Sequence, residues 1–374
     1  IDSKPRTLAT IMWCRLIIAL FGFFSFTLTN ATTSVHAEGA GFTVSAVIPS
    51  NQYNKKATYF DLKVSPNQTE TIYVYVQNLT NQNKTIIAYP NTAYTSNAGS
   101  EAYNKNKLKK LSKAPYLLSE IFGKPQKVIL KPKESKKVAF TLKMPAESYK
   151  GILEGAFYFL DSKTSAAQAT NQKGMAIKNR FAMALGVVLR EDTKTIVAPN
   201  MKMNKIKPTI ADTANFSPAI KANLENTRPT MITNLSIKAK ISKAKGSKAM
   251  YTSKQSNLGM APNSNFYYSI DWNNDALKAG TYHLHLVTQS GTFKWVFDRD
   301  FTITLAQARK INKKANVVRN WTWLYILIGI LLLLLIILIT YLIGRYAGKK
   351  AKQKQSQEQT ATKADHAQDQ QNKK

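Results

Sequence analysis

The stretch Trp321–Ile343, WTWLYILIGILLLLLIILITYLI, constrains this chain more than any other. It runs 23 residues without a charged side chain. As a helix it is about 34 Å long, enough to cross a hydrocarbon core of about 30 Å. Trp321 and Trp323 stand at one end and Tyr341 and Arg345 at the other, the residue types that settle at the two interfaces of a bilayer. A buried core helix rarely carries so long an uninterrupted apolar run. The expectation is a single transmembrane helix over 321–343, so function lies in what it anchors.

A second, shorter apolar run, Leu16–Leu28, follows Lys4, Arg6 and Arg15 and leads into Val35-His36-Ala37. A basic start, a short apolar middle and a small-residue site describe a secretory signal peptide over 1–37, cleaved after Ala37. Positive charges flank the long apolar run about equally, with Arg309, Lys310, Lys313, Lys314 and Arg319 before it and Arg345, Lys349, Lys350, Lys352 and Lys354 after it. The charge rule alone therefore ties, and the signal peptide decides: residues 38–320 face outward, and the basic tail 344–374 stays cytoplasmic. The lone cysteine, Cys14, lies inside the signal peptide, so the exported part has no disulfide and must build ordinary apolar cores.

From Phe42 the pattern is short alternating runs broken by turn residues, as in Phe42–Ile48, Tyr59–Val64, Thr71–Val76, Thr85–Tyr89, Val138–Leu142 and Ile152–Leu160. Residues 161–179 are polar and read as a linker. A second set of strands then opens with Arg180–Arg190 and runs to Phe293–Thr304. Within it Leu277-Lys278-Ala279-Gly280-Thr281-Tyr282 resembles a tyrosine corner, in which the phenol bonds backbone just upstream. The fold class expected is all-β: two immunoglobulin-like β-sandwich domains in tandem, over 38–165 and 166–308. A basic juxtamembrane linker (309–320), the transmembrane helix and a disordered tail, rich in Gln and Lys, complete the chain.

The formal net charge is +32, of which about +25 remains on 38–343 once signal peptide and tail are set aside. Export removes nucleic acid as the partner of this charge and leaves wall polymers and lipid headgroups. No G-x-S-x-G, Cys–His pair or H-E-x-x-H motif is present, so no catalytic residue is named. His283 and His285 share one strand face, but no cysteine or further histidine accompanies them outside, and they read as solvent-facing rather than metal-binding. No metal and no cofactor is expected. The candidate ligand surface is Tyr89–Tyr116, a long polar loop with Asn91, Tyr94, Tyr103 and Tyr116 among amides and lysines. An ordinary surface loop is the competing reading.

Four segments of the first half, Phe42–Pro49 (FTVSAVIP), Tyr59–Val64 (YFDLKV), Val128–Met144 (VILKPKESKKVAFTLKM) and Gly151–Phe159 (GILEGAFYF), resemble the peptidoglycan-binding domain of the WxL-interacting proteins of Gram-positive bacteria. Ile177–Leu189, Met260–Trp272 and Leu277–Leu284 resemble the same family's host-binding domain. The chain departs from the pattern at Lys133-Glu134, where a Gly-Glu turn is expected. The resemblance implies a non-catalytic, membrane-anchored scaffold or adhesin. Its first domain would hold peptidoglycan, the ectodomain would hold WxL-domain proteins at the wall, and host extracellular matrix proteins would be further partners. A wall-modifying enzyme and a surface sensor are the alternatives.

Overall fold

Alternation with period two sets the inner and outer faces of most strands. In Thr69–Asn78 it turns Ile72, Val74 and Val76 inward and Thr71, Tyr73, Tyr75 and Gln77 outward. The computed structural model describes residues 39–111, 114–162, 165–166, 178–212, 215–318 and 321–371. The signal peptide expected over 1–37, its cleavage site and most of the polar linker lie outside these residues. The described chain is mostly β-sheet, followed by one apolar helix, and packs as two units.

The strands of the first part are β1 (Phe42–Val47), β2 (Phe60–Lys63), β3 (Thr69–Asn78), β4 (Lys84–Thr92), β5 (Tyr94–Thr95), β6 (Glu101–Ala102), β7 (Gln126–Leu130), β8 (Ser135–Lys143), β9 (Ile152–Asp161), β10 (Ser165–Ala166), β11 (Lys178–Asn179) and β12 (Ala182–Arg190), with helix α1 (Leu118–Phe122) before β7. The first unit comprises the chain to Thr92, Tyr103–Lys110 and Pro115–Lys194. It has two sheets, ordered β1-β3-β8 and β2-β12-β9-β4-β7. Their inner faces share one core, centred on Phe157, which stacks on Phe140 at 4.0 Å and meets Phe60 and Phe122 edge-on.

β12 pairs across the expected boundary between 165 and 166. It pairs antiparallel with β9, from Ala182↔Leu160 to Arg190↔Ile152, and parallel with β2, from Val187↔Phe60 to Arg190↔Lys63. Val187 and Leu189 are fully buried in the first core, and Arg190 forks onto Asp61 at 2.6 and 3.3 Å. The strand read as opening the second domain therefore completes the first. Sequence separation across 161–179 suggested a break, but strand pairing carries across it.

The turn before β8 resolves the departure at Lys133. Its φ is 60°, the left-handed conformation that glycine takes without cost. Lys133 Nζ donates to Leu79 O at 2.7 Å, and Glu134 Oε2 accepts from Lys131 N at 2.6 Å, which holds the turn closed.

The second unit comprises Ala93–Ala102, Leu111–Ala114 and the chain from Thr195. Its strands are β13 (Met201–Ile210), β14 (Pro218–Asn226), β15 (Ile232–Ser242), β16 (Tyr251–Met260), β17 (Asn265–Asp271), β18 (Gly280–Ser290) and β19 (Phe293–Ile303), in sheets ordered β13-β14-β17 and β16-β15-β18-β19. Trp272 lies at the core between Tyr251, stacked at 3.9 Å, and Tyr282, edge-on at 5.4 Å. Tyr282 Oη donates to Lys278 O at 3.0 Å, the upstream backbone bond that the Gly-Thr-Tyr pattern predicts.

The segment 309–320 differs from a plain linker. Helix α2 (Leu305–Asn312) is capped by Thr304, buries Ala308 in the second core and ties Asn312 to both backbone groups of Leu277 at 2.9 Å. Helix α3 (Thr322–Gln371) contains one stretch, Thr322–Lys350, long and apolar enough to cross a membrane, none of it buried. Trp321, Trp323, Tyr341 and Arg345 are all exposed along it. The tail expected to be disordered continues this helix to Gln371. Its Ala, Lys, Gln and Glu residues are strong helix formers, and no Pro or Gly follows Gly348 to stop it.

Two outcomes follow from these placements. A fragment 39–194 melts cooperatively by circular dichroism, whereas 39–165, without β12, leaves the β9 and β2 edges unpaired and shows no cooperative transition. Lys133→Gly relieves the left-handed strain but adds unfolded-chain entropy and removes the Nζ bond to Leu79 O, so stability changes by less than about 1 kcal/mol. Lys133→Ala, which keeps the strain and loses the bond, is destabilised by about 1 kcal/mol. The difference reads as a lower Tm for the alanine variant.

Candidate functional site

Of the four residues expected to form a ligand surface, Asn91, Tyr103 and Tyr116 lie in the first unit and Tyr94 in the second. Asn91 ends buried, its Nδ2 donating to Tyr103 O at 2.7 Å and Asn106 Oδ1 at 3.0 Å. Tyr103 Oη donates to Glu154 Oε1 at 3.1 Å, and Tyr116 Oη donates to Glu147 O at 2.9 Å with its ring edge-on to Tyr149. Tyr94 pairs with Ala102 in the β5–β6 hairpin, where the neighbouring Thr95 Oγ1 accepts from Ala261 N at 3.1 Å. These polar groups hold their own segments in place.

A second surface of the first unit is more open. On β3 and β8 the outward residues form cross-strand pairs: Tyr75 faces Lys137, Tyr73 faces Ala139, and Thr71 faces Thr141. Ser45 of β1 lies on the other side of Tyr75. Tyr73 is 37% and Tyr75 45% exposed, while Lys137 Nζ sits 4.2 Å from the Tyr73 ring centroid, a cation–π contact. Thr71 and Thr141 hydroxyls lie 3.1 Å apart beside them. The result is a flat face with two adjacent aromatic rings, a lysine and hydroxyls. Tyrosine rings offer stacking area for sugar rings, and lysine offers a charge for carboxylates. The signal was in the sequence, since Ile72, Val74 and Val76 inward require both tyrosines outward.

The second unit holds a cluster that corrects the reading of His283, while His285 beside it keeps its ring in reach of solvent. The turn at Gly291 and Thr292 sets His283 opposite Asp300 and His285 opposite Asp298 on β18 and β19. His283 is 5% exposed, not solvent-facing. Its Nδ1 lies 2.6 Å from Asp300 Oδ1 and its Nε2 3.1 Å from Asp298 Oδ1, and His285 Nδ1 shares that same Asp298 oxygen at 2.8 Å. Both ring nitrogens of His283 face carboxylate oxygens, an arrangement that only the doubly protonated ring satisfies at both ends and that therefore favours the imidazolium. The bond to Asp300 accordingly raises the His283 pKa above its ordinary value, against the opposing effect of burial. Hydrogen bonds from His285 and His283 hold Asp298 below the usual carboxylate range. An H-x-H and a D-x-D symmetrically placed about one turn was the legible sign of this network.

A family model described as WxL Interacting Protein, peptidoglycan binding domain, matches residues 42–161, and one described as WxL Interacting Protein, host binding domain, matches 172–313. The chain belongs to the WxL-interacting protein family. Its domains are thus a peptidoglycan-binding and a host-binding domain, which gives it a cell-surface binding role. The host-binding match begins ahead of β12, so part of it contributes to the first unit's sheet. No curated protein matches the chain. Among solved structures it is similar to a chaperone–tip adhesin complex of CFA/I fimbriae, at 13% identity over 71% of this chain and 98% of that one, with a TM-score of 0.23. It is similar also to the YadV chaperone, at 11% identity over 70% and 100% of the two chains, with a TM-score of 0.24. Those scores fall below the level at which a shared fold follows.

The His–Asp network makes the stability of the second unit depend on pH. The His283 contribution is fully present below its unfolded pKa of about 6.5 and is lost as pH rises through the raised folded value. The Asp298 contribution is present above the unfolded carboxylate value and is lost as pH falls through its lowered one. Tm measured against pH therefore declines as pH rises above about 6.5, and His283→Gln flattens that decline while the acid limb shrinks only in part, because His285 still bonds Asp298.

Proposed function

We propose that this WxL-interacting protein is a membrane-anchored, non-catalytic scaffold and adhesin of the cell surface. The observation that carries the reading is the exposed Tyr73–Tyr75–Lys137 face within the matched peptidoglycan-binding domain. Adjacent rings on a rigid sheet suit a polymer of linked sugars, because ring spacing along a strand is fixed and little side-chain freedom is lost on contact. Lys137, with Lys136 and Lys143 on the same edge strand, adds attraction for the polymer's acidic groups.

In this reading the apolar part of α3 spans the membrane, both units face outward, and the tail from Gly344 is cytoplasmic. The ectodomain holds WxL-domain proteins at the wall, and the host-binding domain takes extracellular matrix proteins. The buried or internally bonded positions of Asn91, Tyr103 and Tyr116 favour the Tyr73–Tyr75 face over the Tyr89–Tyr116 loop as the wall-binding surface.

The test is retention of the full-length protein in detergent by purified peptidoglycan stripped of anionic polymers, across a salt series. The wild-type chain stays bound at high salt, where exposed charges are screened over a Debye length of about 8 Å or less. Tyr73→Ala with Tyr75→Ala weakens binding roughly tenfold or more, as loss of aromatic anchors does at interfaces, with Tm unchanged. Binding that washes off with salt and ignores both tyrosines rejects this surface.

A further inference from the structure

Backbone hydrogen bonds tie the chain leaving the second unit to that unit until just before the apolar helix begins. Asn316 N donates to Phe216 O at 3.0 Å, and Val318 N donates to Asn274 O at 2.9 Å. Trp321 follows Val318 by three residues, a span of at most about 11 Å along the chain. The headgroup layer on each side of a bilayer is itself roughly 5–8 Å thick. If α3 spans a membrane, as proposed above, this end of the second unit has no room to stand clear of the lipid.

The side chains at this end suit that position. A cavity of about 830 Å³ opens here, floored by Tyr251, Trp272 and Tyr282 and edged by Lys243, Met250, Lys278 and Val318. Two of its apolar lining side chains are left in solvent, Met250 at 43% exposure and Val318 at 66%, and Phe216, whose carbonyl accepts from Asn316 N, is 62% exposed. Phe216 holds φ at 49°, a left-handed conformation that sterics disfavour for an aromatic residue, so its projection is imposed by the surrounding bonds. Around these tips stand exposed lysines, Lys243, Lys245 and Lys248 in the β15–β16 turn, Lys278, and Lys313 with Lys314 after α2. Acids at this end are engaged locally, Asp275 by Tyr251 Oη at 3.0 Å, Asp271 by Ser217 Oγ at 2.7 Å, and Asp298, beside Lys245, by His283 and His285.

We infer that this membrane-proximal end of the second unit is a lipid-binding surface that seats against anionic phospholipid headgroups through its lysines and inserts Phe216, Met250 and Val318 between them. Exposed apolar tips inside a basic ring match the chemistry of a leaflet, with negative groups outermost and hydrocarbon beneath. The seating would hold the second unit close against the membrane.

The experiment places the full-length protein in nanodiscs of phosphatidylcholine alone or with phosphatidylglycerol added and follows amide hydrogen exchange. On the anionic discs, amides of Lys243–Tyr251 and of the segment around Phe216 exchange roughly fivefold more slowly or better, the equivalent of one surface lysine's attraction to an anionic leaflet. Lys243→Glu combined with Lys248→Glu and Lys278→Glu abolishes that slowing, while β15 and β18 core amides stay protected and report an intact fold. A chain that inserts into both discs but exchanges identically in them overturns the lipid surface and leaves the anchor standing. A chain that fails to insert overturns the anchor and this surface together. Equal protection from a soluble polyglycerol phosphate added to phosphatidylcholine discs overturns the lipid assignment in favour of a wall polyanion.

Discussion

The pairing of β12 with β9 on one side and β2 on the other is what the first unit depends on. Without it, β9 would be an edge strand and β2, four residues long, would have no ladder partner within its sheet. An unpaired edge next to exposed Phe60 and Leu62 would be both unstable and sticky. Residues 39–374 contain no cysteine and hence no disulfide to compensate, so stability rests on completing two apolar cores. Arg190, at the end of that strand, meets Asp61 in a two-pronged contact, so the same register that buries Val187 and Leu189 also pairs a buried carboxylate.

The proposed binding surfaces lie on what the two cores leave outside. The first unit turns one face of a three-stranded sheet to solvent with Tyr73 and Tyr75 on it, and the inward side chains of β3 fix the spacing of those rings. The second unit gathers Tyr251, Trp272 and Tyr282 in its core, leaves Phe216 and Phe293 exposed, and puts charge at its margins. There His283, His285, Asp298 and Asp300 hydrogen-bond across β18 and β19, while the turn between β15 and β16 exposes Lys243, Lys245 and Lys248, with Asp298 close enough to Lys245 to feel its charge. A strongly basic chain therefore does not spread its charge evenly. It concentrates unpaired lysines at loops and strand edges, where long-range attraction to polyanions acts without stabilising the fold.

Much of the fold was legible because burial imposes period two on a strand. The face assignments of β3 and β8 followed directly, and the tyrosine corner at Tyr282 followed from a local pattern. Lys133 was a departure at the level of residue type, yet the turn closes because Glu134 and Lys133 bond the backbone on either side of it. The candidate loop was less legible. Asn91, Tyr94, Tyr103 and Tyr116 have the composition of a binding surface, but composition does not say whether a phenol points to solvent or reaches a backbone oxygen such as Glu147 O.

The sequence by itself determined the long apolar helix, the all-β character of the rest and the two-domain order, because each depends on local periodicity and length. It also carried enough motif to indicate the family. Only the tertiary structure decided that β12 belongs to the first unit, that His283 is buried between two carboxylates, and that the chain before the helix is docked. These depend on which distant segments pair, and pairing is chosen by the free energy of the whole core rather than by any run of residues within it.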